Sequence, residues 1–202
     1  MMKLIIFGAT GNTGKLLVEQ ALAAGNQVVV YIRNPAKLNM KNERLTIIQG
    51  QLADEEKIKN ALKEVDAVLS VLGPKGGSKS KPFTRGMQII IAAMKKQGVR
   101  RLIITSTLST KDPHDLPEFR AKALVALVRL AMHATYEEIV SVADTVRASD
   151  LDWTILRLTL LNNRPKSGKV RAGYLGKGGV HPYDWTHMVR RVWRDDSSWS
   201  RA

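Results

Sequence analysis

Three glycines at a spacing of three, Gly8, Gly11 and Gly14, stand where an apolar run ends and an amphipathic one begins. The segment Gly8-Ala9-Thr10-Gly11-Asn12-Thr13-Gly14 follows Leu4-Ile5-Ile6-Phe7 and leads into a stretch of helical periodicity. A strand, a glycine-rich turn and a helix N-terminus in that order leave backbone N–H groups unpaired, and the helix dipole adds positive potential there. The chemistry on offer is the binding of a phosphate or pyrophosphate. Gly8 permits the tight bend, Gly11 lets backbone approach a pyrophosphate, and Gly14 allows close helix–strand packing. Thr10, Asn12 and Thr13 complete the cradle.

The ends of the later apolar runs add the rest of a dinucleotide crevice. After the second run comes Tyr31-Ile32-Arg33-Asn34-Pro35-Ala36-Lys37. A carboxylate at this place would hydrogen-bond the ribose 2′-OH of NAD, whereas a guanidinium binds a 2′-phosphate. Arg33, with Lys37 beyond it, therefore selects NADP(H) over NAD(H). The third run ends in Gly50-Gln51-Leu52-Ala53-Asp54, where Gln51 and Leu52 are candidates for the adenine side and Asp54 for the cap of a helix starting at Glu55. Leu72 and Gly73 end the fourth, and the basic segment from Lys75 to Lys81 reads as a mobile loop over the site. The fifth ends in Thr105-Ser106-Thr107, hydroxyls placed where a nicotinamide and a substrate would meet. Ser106 is the first candidate for a polar contact to substrate and Thr107 the second, against the reading of each as a structural hydroxyl. His114 could supply a proton, although Asp112-Pro113-His114-Asp115 reads first as a turn.

These positions need a scaffold, and two alternating periods supply it. β-Branched runs occur at 4–7, 27–32, 45–49, 67–72, 101–106 and 153–158, and helical patterns at 13–24, 55–64, 83–97 and 137–148. Continuous apolar strands alternating with amphipathic helices predict a parallel sheet covered on both faces. Right-handed crossovers make this a Rossmann-type doubly wound α/β fold in a single domain, with its ligand crevice at the carboxyl ends of the strands.

Composition narrows the class. The chain has 202 residues, 44% of them hydrophobic and 25% charged, as expected of a globular protein. Without cysteine, disulfides, thiol nucleophiles and cysteine-ligated metals are excluded. No signal-peptide pattern follows Met1-Met2-Lys3, and no apolar run reaches the ~20 residues that span a bilayer. The expectation is a cytoplasmic protein with no membrane partner. The formal net charge is +14, with no acid between Ala67 and Lys111 or between Leu156 and Tyr183. The basic residues are spread over several elements without aromatic interleaving. A surface attracting anionic cofactors and substrates is thus favoured over a nucleic-acid partner.

Gly8-x-x-Gly11-x-x-Gly14, Arg33-Asn34-Pro35 and Leu151-Asp152-Trp153-Thr154-Ile155-Leu156-Arg157 together resemble the atypical short-chain dehydrogenase/reductases. Within that group the chain is similar to the NmrA-like and the biliverdin-IXβ-reductase or flavin-reductase-like proteins, from Met1 to Tyr183. The resemblance implies an NADP(H)-binding Rossmann protein of the seven-stranded type, in a group that mixes reductases with dinucleotide binders of little activity. Two departures stand out. The Tyr and Lys four residues apart that serve proton exchange in most short-chain dehydrogenases are absent, since Tyr31, Tyr136, Tyr174 and Tyr183 are followed at that offset by Pro35, Val140, Gly178 and His187. Where the tyrosine would fall after Ser106, the chain has Phe119 and then Lys122. Residues 1–183 form the expected dinucleotide-binding domain. Residues 184–202 form an atypical tail holding Trp185, Trp193 and Trp199, open to reading as a variant tail, an interaction arm or the product of an altered frame.

The function expected is an NADPH-dependent reductase of a flavin, quinone or similar conjugated acceptor. Such acceptors can take their proton from solvent, so the missing tyrosine is compatible with hydride transfer. A non-catalytic NADP sensor that binds a partner is the alternative, and a nucleic-acid-associated scaffold the third reading. The size fits a monomer or loose homodimer acting on a small-molecule substrate.

Overall fold

A computed structural model of the chain describes residues 1–74, 80–117 and 119–158. Six strands form one parallel sheet: β1 (Lys3–Phe7), β2 (Gln27–Ile32), β3 (Leu45–Gln49), β4 (Ala67–Ser70), β5 (Arg101–Thr107) and β6 (Asp152–Leu158). Their spatial order is β3-β2-β1-β4-β5-β6. The order reverses at β1 and β4, which pair in register from Leu4↔Ala67 to Phe7↔Ser70. The helices are α1 (Asn12–Ala23), α2 (Glu55–Ala61), α3 (Pro82–Gln97), α4 (Phe119–Ala131) and α5 (His133–Arg147). The doubly wound Rossmann-type fold expected from the alternating periods is the fold observed. The seventh strand that the resemblance implies does not occur among the described residues.

Strand geometry divides the core in two, because successive side chains point to opposite faces. Leu4 and Ile6 of β1 join Val28, Val30 and Ile32 of β2 and pack with Leu17, Val18 and Leu22 of α1. Ile5, Phe7, Val29 and Tyr31 face the other way and meet Ile58 and Leu62, then Met87, Ile90 and Met94 of α3 and Val146 of α5. Strands buried on both faces need apolar residues at every position, which is why β1 and β2 read as unbroken apolar runs. The edge strand β3 departs from that expectation: Thr46, Ile47 and Gln49 are exposed.

Several boundaries differ from the sequence pattern. β4 ends at Ser70 although the apolar run reaches Leu72; the Val71 N–H still donates to the Phe7 carbonyl at 3.0 Å, and the chain then runs on to Pro74 outside the strand. α2 stops at Ala61 rather than Glu64, whose φ of +60° is incompatible with a continuing helix. α5 begins four residues before the expected Glu137, at His133, and α4 was not marked by the pattern. A short 3₁₀ turn at Pro35–Lys37 follows β2, with the Asn34 side chain accepting from the Ala36 N–H at 3.0 Å. No described helix is long and apolar enough to cross a membrane. The expected tail at 184–202, the boundary at Tyr183 and residues 75–79 of the basic loop lie outside the described residues.

Candidate functional site

The turn between β1 and α1 lies beside the point where the sheet order reverses, and its geometry follows from two glycines. Gly8 has φ +86°, a conformation that a side chain would strain, and a Cβ there would come within 2.8 Å of the Val71 backbone. At Gly14 a Cβ would stand 2.2 Å from the Gly8 carbonyl oxygen and 2.7 Å from the Ala9 Cα, so any side chain would lift α1 off the turn. The Gly8 carbonyl accepts from the Gly11 N–H at 3.1 Å and closes the loop. Gly11 occupies the cap position of α1 in extended conformation. Among the described residues no side chain caps that helix, and its first turn contains no acid. An uncapped N-terminus behind a glycine turn fits an anionic pyrophosphate in its polarity and in the space the glycines leave.

A cleft of about 880 Å³ opens from this turn across the ends of β1, β2 and β3. Its wall includes Gly8, Thr10, Arg33, Gln51, Leu52 and Leu72 of the expected set. Arg33 is exposed just beyond β2, whereas Lys37 sits exposed in the 3₁₀ turn and outside the cleft wall. The Gln51 backbone is held from two sides. Its carbonyl accepts from the Tyr31 hydroxyl at 3.1 Å, and its N–H donates to Asp54 Oδ2 at 2.8 Å. Asp54 holds the cap position of α2 as expected, but its side chain caps no N–H of that helix because it is engaged with Gln51. Burial, reinforced by the negative charge of Asp54, pushes the Tyr31 phenol up to about 12.

A second pocket of about 240 Å³ adjoins the first, with Leu72 and Phe83 in both walls. It gathers Thr13, Gly73, Thr105, Ser106 and Thr107 with apolar Met87, Ile104, Ile139 and Val142. Ser106 Oγ lies 3.3 Å from the Thr110 hydroxyl, which itself donates to the Thr107 carbonyl at 2.8 Å, and Thr107 Oγ1 accepts from the Ser109 N–H at 3.2 Å. Both hydroxyls thus have structural partners as well as a place in the wall. Asn12, Gly11 and Gly14 line neither cavity; Gly14 is buried in the α1 contact. His114 lies apart from both pocket walls. Its Nδ1 is 3.1 Å from Asp112 Oδ1, which also accepts from the His114 N–H, so the segment is the turn its composition indicates.

Among the described residues the smaller pocket has neither a tyrosine nor a lysine in its wall. Phe119 projects into solvent at 83% exposure, and Tyr136 stacks under the Arg129 guanidinium at 5.8 Å. Sequence reasoning missed Phe83, Arg85 and Lys96 of α3, which line the large cleft, and Glu138 of α5, which lines the small one. Pro82 at the first position of α3 was the available signal that a helix start follows the basic loop.

A sequence profile described as NAD(P)H-binding matches residues 8–183. Isoeugenol synthase 1 of Clarkia breweri is 29% identical over 133 residues, 60% of this chain and 40% of that protein. A phenylcoumaran benzylic ether reductase of Populus trichocarpa is 38% identical over 80 residues, 35% of this chain and 26% of that protein. The matches therefore span less than half the length of these plant proteins. Among solved structures, a short-chain dehydrogenase/reductase of Veillonella parvula in complex with NADP superposes with a TM-score of 0.75 at 21% identity, covering 100% of this chain and 92% of that one. An anaerobillin reductase of Escherichia coli gives a TM-score of 0.72 at 22% identity, covering 96% and 91%. These superpositions establish a common fold.

Proposed function

We propose that this chain, which belongs to the NAD(P)H-binding family, is an NADPH-dependent reductase of a flavin, quinone or similar conjugated acceptor. The observation that carries the reading is the contiguity of two cavities, a cleft that reaches the glycine turn at Gly8 and Thr10 and a small apolar pocket sharing Leu72 and Phe83 with it. The glycine turn and the first N–H groups of α1 hold the pyrophosphate. Arg33 faces the 2′-phosphate and provides the preference for NADP(H) over NAD(H). Gln51 and Leu52 flank the adenine, while Leu72, Gly73 and Thr105 border the nicotinamide end. When bound, the nicotinamide supplies a hydride.

The chain's own part is to place that donor and the acceptor together and to keep water from the contact. Met87, Ile104, Ile139 and Val142 provide the apolar wall for a planar acceptor, and the Ser106 and Thr107 hydroxyls fix its edge. Among the described residues that wall has no tyrosine or lysine, and a flavin or quinone acceptor can take its proton from solvent. The plant and bacterial relatives named as a benzylic ether reductase and an anaerobillin reductase support a reductase of conjugated molecules. The absence from the sequence of a tyrosine with lysine four residues on also favours a second reading, a non-catalytic NADP sensor whose occupancy controls a partner.

NADPH oxidation followed with a panel of flavins and quinones, beside NADPH and NADH titrations, separates the two. Turnover with tighter NADPH binding is expected. Binding without turnover gives the sensor, and equal or tighter NADH binding removes the role given to Arg33.

A further inference from the structure

The pocket beside Ser106 contains an acid that the reductase reading leaves unused. Glu138 of α5 is 0% exposed and stands in the wall with Phe83, Ile139 and Val142. Its Oε1 accepts from the Phe83 N–H at 2.6 Å, which satisfies a first-turn donor of α3 from outside the helix. Its Oε2 is buried and has no hydrogen-bond partner among the described residues. Native proteins leave few buried acceptors without a donor, and such a group calls for a ligand or an ordered water.

We propose that Glu138 Oε2 is the specificity contact of the acceptor pocket, accepting a hydrogen bond from a ring N–H or phenolic O–H on the edge of a planar substrate. The proposal deepens, and rests on, the reading of this pocket as the acceptor site. A carboxylate is an acceptor only, whereas the hydroxyls of Thr13, Ser106 and Thr107 both donate and accept. The hydroxyls therefore tolerate either kind of edge, and Glu138 selects the donor kind. The same oxygen disfavours an anionic substituent at that end, since no cationic side chain lines the pocket among the described residues. Its fixed partner at Phe83 gives the selection a geometry. One carboxylate oxygen is held by the start of α3, and Phe83 also borders the large cleft, so donor recognition and cofactor binding meet at one residue. A site built to hydrogen-bond a substrate N–H or O–H rejects analogues lacking it strongly, because its own buried polar group is left unpaired.

The test uses lumiflavin, which has an imide N–H at N3, and its N3-methyl derivative, each titrated by fluorescence quenching into the NADP⁺-loaded protein. Wild type should favour lumiflavin by about tenfold or more, the scale of one hydrogen bond to a charged group. In E138Q one amide atom can still accept from Phe83 while the other presents a donor, so the preference should fall to about twofold or less with thermal midpoint and NADPH affinity retained. An equal preference in both proteins, as a purely structural acid or a trapped water gives, overturns the proposal. So does a wild type that binds both flavins equally or neither, and that comparison decides even where E138Q fails to fold. NADPH turnover without N–H preference sinks this contact alone; preference without turnover sinks the reductase reading alone.

Discussion

Arg157 and Asp115 face each other in a two-pronged ion pair, with Nη1–Oδ2 and Nη2–Oδ1 both at 2.5 Å. Their side chains are only 13% and 15% exposed. Arg157 is paired in register with Ser106 across β5 and β6, and its Nη1 also donates to the Thr110 carbonyl at 3.1 Å. The Thr110 hydroxyl in turn reaches Ser106 Oγ. One guanidinium thus ties the loop after β5 to the strand that ends beside the small pocket.

Breaking this pair from one side leaves a desolvated charge without its partner, which costs about 3–5 kcal/mol when burial is complete. With some solvent access, R157A should lose about 3 kcal/mol in denaturant unfolding, and R157L/D115L markedly less than the sum of its single substitutions. A loss in R157A below about 1 kcal/mol would place the pair with ordinary surface salt bridges and remove its role in fixing the loop.

Gly11 and Gly14 separate folding from binding. A Cβ at Gly11 would meet only the Gly8 carbonyl oxygen at 3.5 Å, an ordinary contact, and its backbone at φ −75° suits any residue. G11A should therefore fold like wild type yet lose NADPH affinity by about tenfold or more, by taking up the space a pyrophosphate needs. G14A should instead cost about 3 kcal/mol of stability or fail to fold, because its clash is with backbone. Unchanged NADPH binding in G11A would move the pyrophosphate away from this turn.

The same residues show which parts of the structure the chain displays openly. β2 and β3 were readable to the residue because β-branched runs end in Gly50 or in the Asn34-Pro35 break, both local signals. α4 was not readable. Its sequence is apolar around much of the helix, and Leu124, Leu127 and Leu130 are exposed, so no stripe facing a core marks it. α5 starts early without a side-chain cap or a first-turn acid, the two signals that announce a helix start. The glycine turn was legible since its spacing is local. Arg85 and Glu138 were not, because only the packing of α3 beside α2 and α5 brings them to a cavity wall.

The cofactor preference should be separable at one residue. Arg33 lines the cleft and Lys37 does not, so R33A should weaken NADPH by about tenfold to a hundredfold, the range of a hydrogen-bonded charge contact. NADH affinity should change by less than about twofold, and K37A should leave both cofactors nearly unaltered. Isothermal titration of the two nucleotides against each variant measures this. A larger loss in K37A than in R33A would transfer the 2′-phosphate to the 3₁₀ turn.

Tyr31 gives the cleft a pH limit. Its phenol moves from the ordinary 10.0 to about 12, first through burial and then through the nearby Asp54 charge. Because the folded value lies above the unfolded one, the neutral hydroxyl favours folding fully below pH 10.0, and that contribution is lost as pH rises through about 12. Losing this proton also ends the hydroxyl's donation to the Gln51 carbonyl, so the adenine flank should loosen in the same window. In a rapid pH jump followed by phenolate absorbance, wild type minus Y31F should show one tyrosine ionising near 12. NADPH affinity of wild type, but not of Y31F, should fall with it. A difference spectrum that titrates near 10.0 would show Tyr31 to be solvated and free of Asp54.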